Sequence, residues 1–221
     1  LLEQYPAFTG TQYTHLDIGC GNGAAMFLLS QKMKSCVGID IVNDYEQDIN
    51  DYLKKNNISN CRFQCVDIEK DISSLQQQFD RITSFEVIEH LHDENSVSIY
   101  RKLLKDDGLM AISVPNKWWI FETHGAKLPL LPWNRVPFFS WLPRFLHERW
   151  ANARIYTKGR ITRLLERNGF EVLHSSYITA PMDVLKEGRP KRLLVKYLFK
   201  NDTTKNPFKS TAILVIARRR K

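Results

Sequence analysis

The 221-residue sequence has no apolar run approaching the roughly 20 residues that span a bilayer, which excludes a reading as a helical membrane protein. Its first residues, Leu1 to Tyr5, lack the basic flank and apolar core of a secretory signal. They also lack a starting Met, which leaves room for residues upstream. Cysteine is scarce: Cys20, Cys36, Cys61 and Cys65 are the only four. The closest pair is separated by three residues, and no CxxC or His pair completes a zinc site. The four are therefore expected to be reduced and mostly buried, with a strand through Cys61 and Cys65 putting both on one face. No internal repeat is visible. At 43% hydrophobic residues the chain is too apolar to be disordered, and its length suits one α/β domain over residues 1–221.

What the chain has in excess is positive charge, +8 overall, concentrated in Lys186–Lys200 and Arg218–Lys221. Such a C-terminal third suits acidic lipid headgroups, nucleic acid or a phosphorylated substrate, or is a solvated basic face.

Through residue 115, short apolar runs alternate with helical patterns. Strands are expected at Tyr13–Ile18, Ser35–Ile39, Cys61–Val66, Arg81–Phe85 and Gly108–Val114. Helices are expected at Gly23–Lys34, Asp44–Asn56, Asp71–Gln77 and Asn95–Lys105. Strands that are apolar throughout imply burial on both faces, hence a Rossmann-like, doubly wound and mainly parallel sheet. Residues 116–155 break the pattern and carry all five tryptophans and several prolines. This reads as an insertion of short helices. A helix then runs from a Thr157 cap to Asn168, and a strand from Phe170 to Ile178. A basic insertion over 181–210 precedes a last strand at Thr211–Ala217.

The strongest motif is His15-Leu-Asp-Ile-Gly-Cys-Gly-Asn-Gly23. Asp17 closes the first strand, and Gly19, Gly21 and Gly23 turn the chain into the first helix. Such glycines permit positive φ and a close ligand approach. Dinucleotide-binding folds carry similar turns. Here, however, Asp40 and Asp67 end the second and third strands. Carboxylates at three successive strand ends suit a ligand bearing an ammonium, a sulfonium and a nucleoside but no phosphate. On these residues the chain resembles the class I S-adenosylmethionine methyltransferases over Tyr13–Ile178 plus the last strand. The resemblance implies a seven-stranded sheet with its last strand antiparallel. It also implies S-adenosylmethionine contacts from Asp17, Gly19, Gly21, Gly23, Asp40, Ile41, Asp67, Ile68 and Phe85.

Phe79-Asp-Arg-Ile-Thr-Ser-Phe-Glu-Val-Ile-Glu-His-Leu91 follows. If helical from Glu86, it sets Glu86, Glu89 and His90 on one face, where two carboxylates and an imidazole suit a divalent cation. The segment resembles the ubiquinone-biosynthesis O-methyltransferases and the enzymes that 2′-O-methylate small-RNA 3′ ends. In the RNA group a further histidine completes a metal site. His124 stands in the corresponding stretch, with His147 as fallback. The expected metal set is thus Glu86, Glu89, His90 and His124, holding Mg, Mn or Zn. Without metal, His90 or His124 serves as general base, since imidazole titrates near neutrality, and Glu89 caps a helix.

The acceptor pocket in this fold is built after the fourth and fifth strands, here the tryptophan-rich insertion. Lys117–Phe121 and Leu128–Trp133 are apolar beyond what a loop requires, Phe138–His147 mixes aromatic and basic residues, and Lys191–Lys200 reads as a short amphipathic helix. These suit peripheral membrane contact and a lipophilic acceptor, a lid and homodimer interface, or nucleic acid. The expectation is O-methylation of a lipophilic or lipid-linked small molecule by a cytoplasmic enzyme at a membrane surface, with metal assistance. A metal-dependent RNA 2′-O-methyltransferase and a non-catalytic scaffold are the alternatives.

Overall fold

A computed structural model describes residues 2, 5–75, 77–127, 136–182 and 185–220. The expected Leu128–Trp133 segment lies outside these. The strands are β1 Gly10–Ile18, β2 Met33–Asp40, β3 Cys61–Cys65, β4 Phe79–Phe85, β5 Leu104–Pro115, β6 Phe170–Thr179, β7 Thr203–Thr204 and β8 Ser210–Arg219. The α-helices are α1 Ala24–Ser30, α2 Glu46–Lys55, α3 Ser98–Leu103, α4 Arg144–Trp150, α5 Lys158–Arg167 and α6 Arg189–Leu198. All eight strands form one sheet in the order β3-β2-β1-β4-β5-β8-β6-β7. The pairs β1–β2, β1–β4 and β2–β3 are parallel, and β6–β7 is antiparallel. The strand order reverses at β1, which turns from β2 on one side to β4 on the other. Ligands in open α/β sheets bind at such a point.

The expected α/β architecture is present, with eight strands among the described residues where seven were expected. The additional strand is the two-residue β7, whose threonines pair with Tyr177 and Ile178 of β6. Other expected boundaries move for local reasons. The helix expected at Gly23–Lys34 ends at Ser30, because Met33 and Lys34 already belong to β2. The helix expected at Asn95–Lys105 is a short turn followed by α3, and β5 opens at Leu104. The described residues of Asp71–Gln77 include no α-helix. They hold one 3-10 turn, Ile72–Ser74. There the Ser73 hydroxyl donates to Asp71 Oδ1 at 2.9 Å and the Ser74 hydroxyl to the Asp71 carbonyl at 2.9 Å. Such local bonds offer the backbone an alternative to the helical ladder. β3, at the sheet edge, is not buried on both faces. All four cysteines are free; Cys20 and Cys36 are buried, but Cys65 is exposed.

The chain divides into two compact units. The first comprises residues 1–112, 162–174 and 215–221. Its core includes Phe8, Met26, Leu29, Met33, Ile49, Leu53 and Ile216. α2 shows how the sequence builds it: Ile49 and Leu53, one turn apart, face inward, while Glu46 and Asp48 open the helix and Lys54 and Lys55 close it. The second unit, residues 113–161 and 175–214, takes in both stretches read as insertions. Trp119, Ala180 and Met182 form one buried cluster in it, and Leu194, Val195 and Phe199 of the α6 region pack against them.

Candidate donor site and reaction centre

The first unit has a cavity of about 340 Å³ at the carboxyl ends of β1, β2 and β4. That lies at the lower end of the range for small-molecule sites. Its wall includes Gly19, Asp40, Ile41, Asp67, Ile68 and Phe85, six of the nine residues expected to contact the donor. Sequence reading missed Val66, Glu69, Val87 and Leu91, which line it as well.

Local chemistry explains the shape. Gly19 and Gly21 have φ of 71° and 50°, in the left-handed region that favours glycine. The amides of Gly19 and Cys20 both donate to the Ile39 carbonyl, at 2.8 and 3.0 Å, tying the turn to β2. A Cβ on Gly19 would collide with Val87 Cγ2, whereas a Cβ on Gly21 would meet nothing within 4 Å. Gly19 thus closes the turn against the end of β4, and Gly21 leaves open space. Asp40 Oδ2 accepts from the Gly21 amide at 2.9 Å, which fixes its carboxylate beside the turn. Asp67 accepts from the Glu69 amide at 3.0 Å and pairs with Lys70 at 2.8 Å. Lys70 holds its carboxyl below the usual range.

Asp17, Gly21 and Gly23 do not line the cavity. Asp17 is only 2% exposed. Its Oδ1 accepts from the Thr83 hydroxyl at 2.5 Å, and Thr83 Oγ1 lies 2.7 Å from Nε2 of the fully buried His15. Three polar groups from neighbouring β1 and β4 thus form a chain inside an apolar sheet. Burial pushes the Asp17 carboxyl up to about 7, against the Thr83 bond that lowers it, with the Asp40 charge adding to the rise. Burial takes His15 down to about 3. The residue pair His15–Thr83 was not anticipated, since a period-2 strand pattern cannot separate a buried polar ladder from an ordinary core.

The Glu-x-x-Glu-His segment is not helical from Glu86. Glu86 has a left-handed φ of 57°, and only Ile88–His90 form a 3-10 turn. The turn at Glu86 ends β4 sharply. Even so, Glu86 and Glu89 act on one another. Burial, and then the charge of Glu86, push the Glu89 carboxyl far up. Glu89 is 2% exposed, His90 is exposed on the cavity wall, and a Glu89 oxygen and a His90 ring nitrogen lie within 4.8 Å. A buried carboxyl beside a half-buried one is a pair that a cation relieves, so the donor set fits a divalent ion.

His124 belongs to the second unit, where its amide donates to Glu122 Oε1 at 3.1 Å. The fallback His147 is fully buried, with Nε2 2.7 Å from Glu122 Oε2. That pairing withdraws it from acceptor chemistry.

A family model described as "Methyltransferase domain" matches residues 2–175. A ubiquinone biosynthesis O-methyltransferase of Bartonella tribocorum is 28% identical over 169 residues, covering 74% of this chain and 62% of the relative. A protein of the same name from Neisseria meningitidis serogroup A is 29% identical over 104 residues, 46% of this chain and 44% of the relative. The chain thus spans about half the length of these curated relatives. In fold it is similar to the N-methyltransferase NodS of Bradyrhizobium japonicum in complex with S-adenosyl-L-homocysteine. That likeness has a TM-score of 0.57 at 16% identity, over 94% of this chain and 78% of that one.

Proposed function

Because the chain belongs to the methyltransferase-domain family, we propose that it methylates an oxygen of a lipophilic or lipid-linked small molecule, with S-adenosylmethionine as donor and a divalent cation assisting. The observation that carries the donor reading is the cavity itself, walled by Gly19 of the glycine turn and by the strand-end carboxylates Asp40 and Asp67. Asp40 would accept from both ribose hydroxyls and Asp67 from the adenine amino group, with Ile41, Ile68 and Phe85 as apolar walls. When bound, the donor supplies an electrophilic methyl on a sulfonium. Gly19, Gly21 and Gly23 shape the turn, and Asp17 lies buried behind it, its carboxyl held toward the protonated form.

At the acceptor, the carbon–oxygen bond forms as the carbon–sulfur bond breaks, and the hydroxyl proton passes to a base. Where no cation is bound, His90 is our candidate, with His124 as the second. An imidazole titrates where such a base is effective. Glu86, Glu89, His90 and His124 would hold the cation, Mg, Mn or Zn, whose charge would lower the hydroxyl pKa and orient the oxygen. Without the cation, alignment of oxygen, carbon and sulfur would supply much of the rate. The acceptor class is supported by the names of the curated relatives and by the aromatic insertion, and it extends to peripheral contact with a membrane.

The test is transfer of a radiolabelled methyl from S-adenosylmethionine into a lysate, with products split into organic, small aqueous and RNA fractions, with and without EDTA. Label in the organic fraction, reduced by EDTA, is the expected result. Label confined to RNA and abolished by EDTA would replace this reading with an RNA 2′-O-methyltransferase. No label in any fraction would leave a scaffold.

A further inference from the structure

The second unit exposes large apolar side chains beside concentrated positive charge. α6 carries Arg189, Leu193, Lys196 and Tyr197 at spacings of four, seven and eight residues, which share one helical face. All four are exposed, Leu193 by 55% and Tyr197 by 70%. The opposite face is spoken for by Leu194 and Val195, which pack on the Trp119 cluster. Among the described residues, that outer face is turned to solvent.

A second group adjoins it. Phe138, Trp141 and Phe208 form a rank of rings with centroids 5.0 and 5.6 Å apart. Phe138 and Phe208 are each 52% exposed. Phe138 has a φ of 62°, a conformation a bulky side chain adopts only at some cost. Strained backbone thus holds an aromatic ring half in water. Lys209 joins the two groups: it follows Phe208 in the chain, and its Nζ donates to the carbonyl of Leu198, at the end of α6, at 3.3 Å.

The charge around this surface is mostly positive. From Lys186 to Lys209 there are eight basic residues and two acidic ones. One acid, Glu187, is taken by Lys191 at 2.5 Å.

We propose that the outer face of α6 and the Phe138–Trp141–Phe208 rank together dock the second unit on a bilayer bearing anionic headgroups. Basic residues at the flanks meet the headgroups, while Leu193, Tyr197 and Phe208 enter the interfacial zone, where amphipathic rings are favoured. Charge complementarity selects the occupant. A second copy of this chain would bring a further excess of positive charge to the same surface. RNA would leave the exposed leucines unused. The purpose of the docking rests on the lipophilic-acceptor reading, although its evidence does not.

Flotation of the full chain with phosphatidylcholine vesicles, and with vesicles also containing phosphatidylglycerol, tests it. Binding is expected only to the anionic vesicles, and weakening as salt rises. The triple substitution Arg189→Gln, Lys196→Gln, Lys200→Gln should reduce partitioning by on the order of a hundredfold. Leu193→Ser with Tyr197→Ser should reduce it by at least roughly tenfold. These side chains are exposed, and an unchanged thermal midpoint would confirm an intact fold. Wild-type flotation equal on both vesicles, or absent from both, overturns the proposal. So does full flotation of the triple variant, or binding to an RNA oligonucleotide in place of vesicles. Methyl transfer to an organic-extractable acceptor in detergent is scored separately. Transfer without vesicle binding sinks the docking surface alone, and binding without transfer sinks the acceptor reading alone.

Discussion

Replacing His15 by Gln is expected to make stability fall with rising pH relative to the wild type, and replacing Asp17 by Asn to make it rise. The two residues share Thr83 but are pushed in opposite directions by burial. Asp17 goes from 3.8 up to about 7, so its contribution is full below pH 3.8 and is lost as pH rises through about 7. His15 goes from 6.5 down to about 3, so its contribution is full above pH 6.5 and is lost as pH falls through about 3. Between about pH 4 and 6.5 the folded chain holds one proton on Asp17 and none on His15. The unfolded chain holds its one proton on His15 instead. The counts match, so the pair contributes no pH dependence in that window. Removing one member leaves the other uncompensated, at about 1.4 kcal/mol per pH unit. Over the window that amounts to about 3 kcal/mol, negative-going for His15→Gln and positive-going for Asp17→Asn. Urea unfolding of the three proteins at half-unit steps measures the two differences directly. Differences that stay flat for both variants would show that neither group is perturbed by its burial. Slopes of the same sign would show that the two do not oppose one another.

Asp40→Ala should lower affinity for S-adenosylmethionine by on the order of a hundredfold, because the carboxylate also fixes the Gly21 amide. Calorimetry that finds unchanged affinity would remove Asp40 from the donor site. Two glycine variants should fail differently. Gly19→Ala would set its Cβ against Val87 and should cost roughly 2–4 kcal/mol in chemical denaturation. Gly21→Ala, with open space around it, should cost only about 1–2 kcal/mol yet reduce donor affinity. Full donor affinity in Gly21→Ala would show that the space at that turn is not used.

The legible parts of the fold were those with strong short-range signals. Parallel strands β1, β2 and β4 read out as apolar runs, and Gly19 and Gly21 as the turn, because positive φ leaves few residue choices. Asp40 and Asp67 followed from their places at strand ends. Side-chain competition hid the rest. The serines after Asp71 look helical by spacing yet bond to Asp71 itself. Glu86 to His90 has helical spacing too, but a left-handed Glu86 breaks it. β7, at two residues, is too short to carry a pattern. The His15–Thr83–Asp17 chain spans 68 residues from His15 to Thr83, a separation that no local reading connects. His147 drew notice as an imidazole, and only its pairing with Glu122, 25 residues away, assigns it to the interior.

Every residue lining the cavity falls between Ile18 and Leu91. In vectorial synthesis the whole wall has therefore been made before β5 leaves the ribosome. The four strands that carry it, β3-β2-β1-β4, are also contiguous in the sheet, so none waits for a later strand to insert between them. The strands added afterwards follow the opposite rule: β8, the last made, lies between β5 and β6. A nascent chain stalled before β8 thus holds a finished donor wall with β5 beside it, and β5 presents an open edge on the side away from β4. Completion of the C-terminal strand is the step that closes that edge to aggregation.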